Sequence, residues 1–226
     1  TYRFQSDDPG DQGANVVRGI AQTADGRIWM GSDGGGLLSL DRSQGEVRHF
    51  IPVPGDRNEA RAASVRAVEI DHEGHLWLSV AGFGLSRFDP RTEEFTHFPA
   101  GDGPYALRHT GLRAIDVEEP GVVWVATYGG GLYRLDVESG RYRNFRHDAS
   151  DPNTVSSDLL YSLTRTRDGR LWIGGDGLQV MDTNTLRIER VEPRGASGET
   201  LSGHLVLSIL EDSSGEMWFA TNGGAY

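Results

Sequence analysis

Cysteine is missing from all 226 residues, which removes a disulfide framework, a thiolate metal site and a cysteine nucleophile and leaves the redox compartment open. Basic side chains are in deficit, with 22 Lys and Arg against 33 Asp and Glu and a net charge of −11. A chain of that sign has no whole-chain electrostatic footprint for the nucleic-acid backbone or anionic lipid, so nucleic acid is not expected as a partner. Long hydrophobic runs are lacking as well. No stretch approaches the roughly 18 apolar residues that cross a bilayer, and Thr1-Tyr2-Arg3-Phe4 does not resemble a signal peptide, so any membrane attachment is expected through regions outside this sequence. Proline is sparse at 9, whereas glycine reaches 31 and hydrophobic residues 37%. That is the balance of a soluble globular chain of many short strands joined by turns. The sequence starts without methionine and stops at Gly223-Gly224-Ala225-Tyr226, part-way through a pattern completed elsewhere, which predicts a segment of a longer protein.

That pattern is an internal repeat. Tryptophan stands at 29, 77, 124, 172 and 218, spaced by 48, 47, 48 and 46 residues, and each has a glycine three positions earlier: Gly26, Gly74, Gly121, Gly169 and Gly215. Nine before each tryptophan come Ile20, Val68, Ile115, Leu163 and Ile209, and twelve before come Val17, Val65, Leu112, Leu160 and Val206. A glycine-rich turn follows each tryptophan and leads into strands such as Leu37-Leu38-Ser39-Leu40-Asp41 and Leu132-Tyr133-Arg134-Leu135-Asp136, with two-residue alternation. Three copies close with an aromatic strand, Val47 to Phe50, Phe95 to Phe98 and Tyr142 to Phe145. About four short strands per period is the content of one β-propeller blade, whereas a helical repeat would be broken by the glycine triplets. A lone blade cannot bury both faces of its sheet, so blades must stack, and the tryptophans belong in the inter-blade core. The fold expected is therefore all-β: about five four-stranded blades with incomplete terminal ones, a partial propeller over residues 1–226. Tyr2-Arg3-Phe4 reads as the last strand of a preceding blade, and the two open sides predict marginal stability.

The phrases Gly26-Arg27-Ile28-Trp29-Met30-Gly31 and Gly169-Arg170-Leu171-Trp172-Ile173-Gly174, each followed by a glycine turn, resemble the two-component regulator propeller repeat. The segment from Asp148 to Ser157 is similar to that family's inter-blade linker. Pro120 before Gly121 and a fourth glycine turn two residues shorter depart from the pattern. The resemblance implies part of a seven-bladed ring outside the cytoplasmic membrane, in the periplasmic portion of an inner-membrane receptor. It also implies a ligand such as an oligosaccharide, a homodimer in the full-length receptor, and an output module elsewhere, a histidine kinase or a diguanylate cyclase.

In a propeller the start of the innermost strand and the glycine turn share one face of the ring, so alignment on tryptophan names a candidate rim. Eleven before it stand Arg18, Arg66, Arg113, Tyr161 and Leu207; four after it stand Asp33, Ala81, Tyr128, Asp176 and Asn222; fourteen before it the first copy has Asn15. Arginines in register could form a cationic ring for carboxylate or sulfate, or else pair with neighbouring acids. Asn and Asp at a strand start could equally cap turns. Tyr128 and Phe83, in glycine turns, could stack on a sugar, though Phe83 could instead pack on the next blade.

Catalytic signatures are not found. The glycine triplets lack the lysine and helix of a phosphate loop, the seven histidines show no recurring metal-ligand spacing, and no serine sits in a nucleophile elbow. The glycosidase-propeller box places its acid five before tryptophan; here acids stand six before (Asp71, Asp212) or four before (Asp25, Asp168). A non-catalytic ligand sensor without cofactor or metal is therefore expected, with a protein-binding scaffold and a secreted polysaccharide hydrolase or lyase as the alternatives.

Overall fold

The computed structural model describes residues 16–52, 64–118, 120–193, 201 and 203–226. Tyr2-Arg3-Phe4 and Asn15 lie outside them. The first blade is the antiparallel meander β1 (Val17–Gln22), β2 (Ile28–Ser32), β3 (Gly36–Asp41) and β4 (Glu46–Phe50). The second is β5 (Val65–Ile70), β6 (Leu76–Val80), β7 (Gly84–Asp89) and β8 (Glu94–Pro99); the third is β9 (Leu112–Glu118), β10 (Val122–Thr127), β11 (Gly131–Asp136) and β12 (Arg141–Phe145). The fourth comprises β13 (Ser162–Arg165), β14 (Leu171–Gly175), β15 (Gly177–Asp182) and β16 (Arg187–Val191), and the fifth has three strands, β17 (Val206–Glu211), β18 (Met217–Thr221) and β19 (Gly224–Ala225). The first strands β1, β5, β9, β13 and β17 pack side by side in chain order. The chain is a five-bladed β-propeller with an incomplete last blade.

Local chemistry accounts for each meander. The glycine three before tryptophan adopts φ between 71° and 89° in all five copies, the left-handed region that closes the first hairpin turn. The indole N–H then donates across that turn to the residue six before it: Thr23 at 3.2 Å, Asp71 at 3.1 Å, Glu118 at 2.6 Å, Thr166 at 3.2 Å and Asp212 at 3.0 Å. Where that residue is threonine, its hydroxyl donates in turn to an aspartate two further on, Asp25 or Asp168, at 2.6 Å. The alternation of acids between two spacings is thus one turn built in two ways. Asp41, Asp89, Asp136 and Asp182 end the third strands and accept backbone amides of the next turn from Ser43, Arg91, Ser139 and Asn184. A left-handed residue, Gly45, Glu93, Gly140 or Leu186, completes that turn.

Each blade has two unlike faces. Pairing of Trp29 with Ala21 and of Met30 with Ile20 puts the tryptophan on one face and the aliphatic residue on the other. Trp29 lies in a core with Val65, Val68 and Leu78 of the next blade, Trp77 in one with Ile115, Val123 and Val125, and Trp124 in one with Leu163, Leu171 and Ile173. Trp172 packs against Val206, Ile209 and Phe219. The same joint is made four times, tryptophan face on aliphatic face. At the two ends it is unmatched among the described residues: Ile20 is 65% exposed and Trp218 50%. The expectation that every tryptophan is inter-blade core therefore fails at Trp218, whose face meets no following blade.

Candidate functional site

The rim begins with a backbone irregularity. The ladder between the first two strands slips at Val17/Gly19, Val65/Val68, Leu112/Ala114 and Val206/Ser208. The extra residue lies at or beside Arg18, Arg66, Arg113 and Leu207, the position eleven before tryptophan. A bulge turns one side chain out of the alternation and aims it separately. The position four after tryptophan sits beside it, its amide tied to the chain that leads into the bulge: Asp33 donates to Val16 O at 2.9 Å, Ala81 to Ser64 O at 2.8 Å, Tyr128 to Gly111 O at 2.8 Å and Asn222 to Leu205 O at 3.2 Å. Strand start and glycine turn do converge on one rim.

The side chains there differ from blade to blade. Arg18 donates to Asp33 from Nε at 3.2 Å and Nη2 at 2.6 Å, and Ser64 Oγ donates to the other carboxylate oxygen at 2.5 Å. Ser64 and Arg18 together hold the Asp33 carboxyl below the usual range. Arg113 lies over the Tyr128 ring at 4.9 Å, with its Nε buried and unpartnered. Tyr128 is 47% exposed and meets Tyr161 edge-on at 5.8 Å. Burial, then the neighbouring Tyr128, raise the Tyr161 hydroxyl above its ordinary value. Arg66 is half-buried and makes no hydrogen bond or ion pair among the described residues. Asp176 is exposed, and among the described residues only its backbone is engaged, the carbonyl accepting from Ser156 Oγ at 3.0 Å. Asn222 uses its side-chain oxygen to accept from Leu205 N at 2.9 Å, a turn-holding role.

Three of the rim residues are thus gathered in one place, Arg113, Tyr128 and Tyr161, with Arg66 on the adjacent inner strand. Arg18 and Asp33 neutralise each other, Asp176 lies in the glycine turn of blade four with no hydrogen bond or ion pair to this group among the described residues, and Asn222 belongs to blade five. Phe83 packs into the joint between the first two blades, on the side of the preceding blade and not the next, and against His97 at 5.2 Å.

A second polar cluster, which the sequence did not indicate, lies further along the inner strands. Asp116 on β9 accepts from the Arg165 backbone N at 2.9 Å and from Nη2 at 2.7 Å, while Glu118 lies 3.4 Å from Arg165 Nη1 and accepts from Thr183 at 2.7 Å. Burial raises the Asp116 carboxyl despite Arg165. On the neighbouring β5, burial and the Asp116 charge push Glu69 up to about 7. The Glu69 residue is itself exposed, so water screens part of this effect. The signal was available as acids eight before tryptophan in two adjacent copies.

The family model for the two component regulator propeller matches residues 11–34, 154–177 and 200–223. These repeats are of the two component regulator propeller family. No curated protein matches the chain. Among solved structures, the extracellular domain of the hybrid two component system BT3049 from B. thetaiotaomicron superposes with a TM-score of 0.71 at 21% identity, over 93% of this chain and 28% of that one. PorZ, a bacterial surface component of the type-IX secretion system of Porphyromonas gingivalis, gives 0.67 at 17%, over 94% and 32%. Virginiamycin B lyase from Staphylococcus aureus gives 0.65 at 16%, over 93% and 69%. At such identities the likeness is one of fold. This chain spans 28% of the length of the first of these structures.

Proposed function

We propose that the chain is the ligand-sensing propeller of a signal-transduction receptor, non-catalytic itself and placed outside the cytoplasmic membrane on the periplasmic side. The observation that carries the reading is the rim of blades two to four. There, bulges hold out Arg66 and Arg113, which make no ion pair among the described residues, Arg66 sharing only the longer-range field of Asp33, beside the half-exposed Tyr128. Polar donors next to an exposed aromatic face are what recognition of a small polar molecule such as an oligosaccharide requires, and rim side chains vary over a constant scaffold. The family match supports a signalling role, as do neighbours in structure that are extracellular domains of two component systems. Ligand binding would shift the packing between blades or between two receptor copies, and a histidine kinase or cyclase module elsewhere would read the shift. The test is titration calorimetry of the chain against a panel of neutral and acidic oligosaccharides, with the Tyr128→Ala variant alongside. Binding that Tyr128→Ala weakens supports the reading. A panel without a binder, together with a polypeptide held on the rim, would replace it by the scaffold reading.

A further inference from the structure

The rim positions eleven before and four after tryptophan form a couple within each blade, and comparison of the first three couples narrows the ligand. In blade one the couple is closed internally: Arg18 reaches one oxygen of the Asp33 carboxylate from Nε at 3.2 Å and Nη2 at 2.6 Å, and Ser64 Oγ holds the other. In blade three it is Arg113 with the Tyr128 ring at 4.9 Å, which orients the guanidinium without neutralising it. In blade two it is Arg66 with Ala81. The backbone carrying Ala81 is held as that of Asp33 is, by a bond of 2.8 Å to Ser64 O against 2.9 Å to Val16 O. A methyl group therefore stands where blade one has its carboxylate, and Arg66 has no hydrogen-bonded or ion-paired partner among the described residues. Arg66 and Arg113 occupy corresponding bulges of β5 and β9, inner strands that pack together. The edge-on pair Tyr128 and Tyr161 walls the blade-three side.

We propose that this corner binds a carboxylate carried on a ring, the carboxylate taking beside Arg66 the place that Asp33 takes beside Arg18, and the ring lying on Tyr128. The assignment rests on the ligand-sensing reading and specifies its ligand. A guanidinium offers a planar fork that fits a carboxylate by two parallel hydrogen bonds, which neither a hydroxyl nor a metal cation can match. Tyr128, 47% exposed and steadied by Arg113 and Tyr161, offers a flat apolar face at low entropic cost. Uronic-acid sugars and aromatic carboxylates both have this chemistry.

The experiment is calorimetry of the whole chain with oligogalacturonate against its methyl ester, and with benzoate against benzamide. At least one acid is expected to bind, with its neutral counterpart much weaker; binding by oligogalacturonate alone assigns the sugar source, by benzoate alone the aromatic one. Ala81→Asp supplies the internal counter-ion and is expected to weaken the acid by about 10- to 100-fold, the size of a charge-assisted contact, with the circular dichroism spectrum unchanged. Ala81→Asn, of the same size and uncharged, is expected to weaken it far less. Binding of the acid by Ala81→Asp as tightly as by the unsubstituted chain overturns the assignment, as does equal binding of ester and acid, or no acid bound at millimolar concentration. If neutral sugars bind the rim while acids do not, ligand sensing stands and this assignment alone falls; if nothing of either charge binds, both fall.

Discussion

Trp124 and Trp218 occupy the same place in their blades, yet alanine should be tolerated very differently at the two. Trp124 is fully buried, in a core with Leu132, Leu163, Leu171 and Ile173. Removing a large buried aromatic loses its transfer free energy and leaves a cavity, together about 3–5 kcal/mol. Its indole donates to Glu118 Oε2 at 2.6 Å, whereas Thr183 and Arg165 hold Oε1 at 2.7 Å and 3.4 Å, so the lost hydrogen bond adds to the cost. Trp218 is 50% exposed, so only about half the transfer free energy is at stake and no closed cavity forms; about 1 kcal/mol is expected. Urea unfolding followed by far-UV circular dichroism, with midpoints compared at a common slope, measures the difference. A gap of about 3 kcal/mol between the variants supports the stacking described. Equal losses would refute it, because Trp218 would then have to be covered as Trp124 is.

Three further outcomes follow from the same geometry. Arg165→Met leaves the Asp116 side chain, 12% exposed, without its guanidinium and should cost about 3 kcal/mol; combining it with Asp116→Asn should restore most of the loss in a denaturation cycle. Glu69 has a folded-state value raised from 4.5 to about 7, so folding favours its protonated form. That contribution is fully present below 4.5 and is lost as pH rises through about 7. Glu69→Gln should flatten the stability profile across that window and be the more stable form at pH 8, and an unchanged profile would sink the argument. Gly31→Val would place its Cβ 2.6 Å from Val65 O of the next blade, and a loss of about 2 kcal/mol in melting experiments is expected.

Where the sequence was legible, the reason is that one local interaction is repeated. The left-handed glycine, the indole bond across the hairpin and the aliphatic positions are each imposed by the blade itself, so they recur in register and can be counted. The closing strand of blade four lacks the aromatic signature of the first three: Leu186 takes the left-handed turn position that Gly45 and Gly140 occupy, and Val191 pairs with Leu178 where Phe145 pairs with Leu132. Rim positions could be found by alignment, but their pairing could not. Whether an arginine is free depends on its neighbour fifteen residues away, Asp33 for Arg18, Ala81 for Arg66 and Tyr128 for Arg113. The bulges leave no mark in composition, because a single extra residue alters register without altering the alternation on either side. The Asp116, Arg165 and Glu118 cluster joins residues 47 to 49 apart, roughly one repeat, and only the stacking of inner strands brings them together.

The unlike faces of the blade give the array a direction. Because every joint sets a tryptophan surface on an aliphatic one, the joints are interchangeable couplings, and a blade cut out or duplicated at any of them restores a coupling of the same kind. Lengthening or shortening such a propeller by whole repeats would therefore require no new packing solution, whereas inverting the order of two strands within a blade would. Change in this chain is thereby steered toward two places, the number of blades and the few rim side chains that the stacking leaves unconstrained.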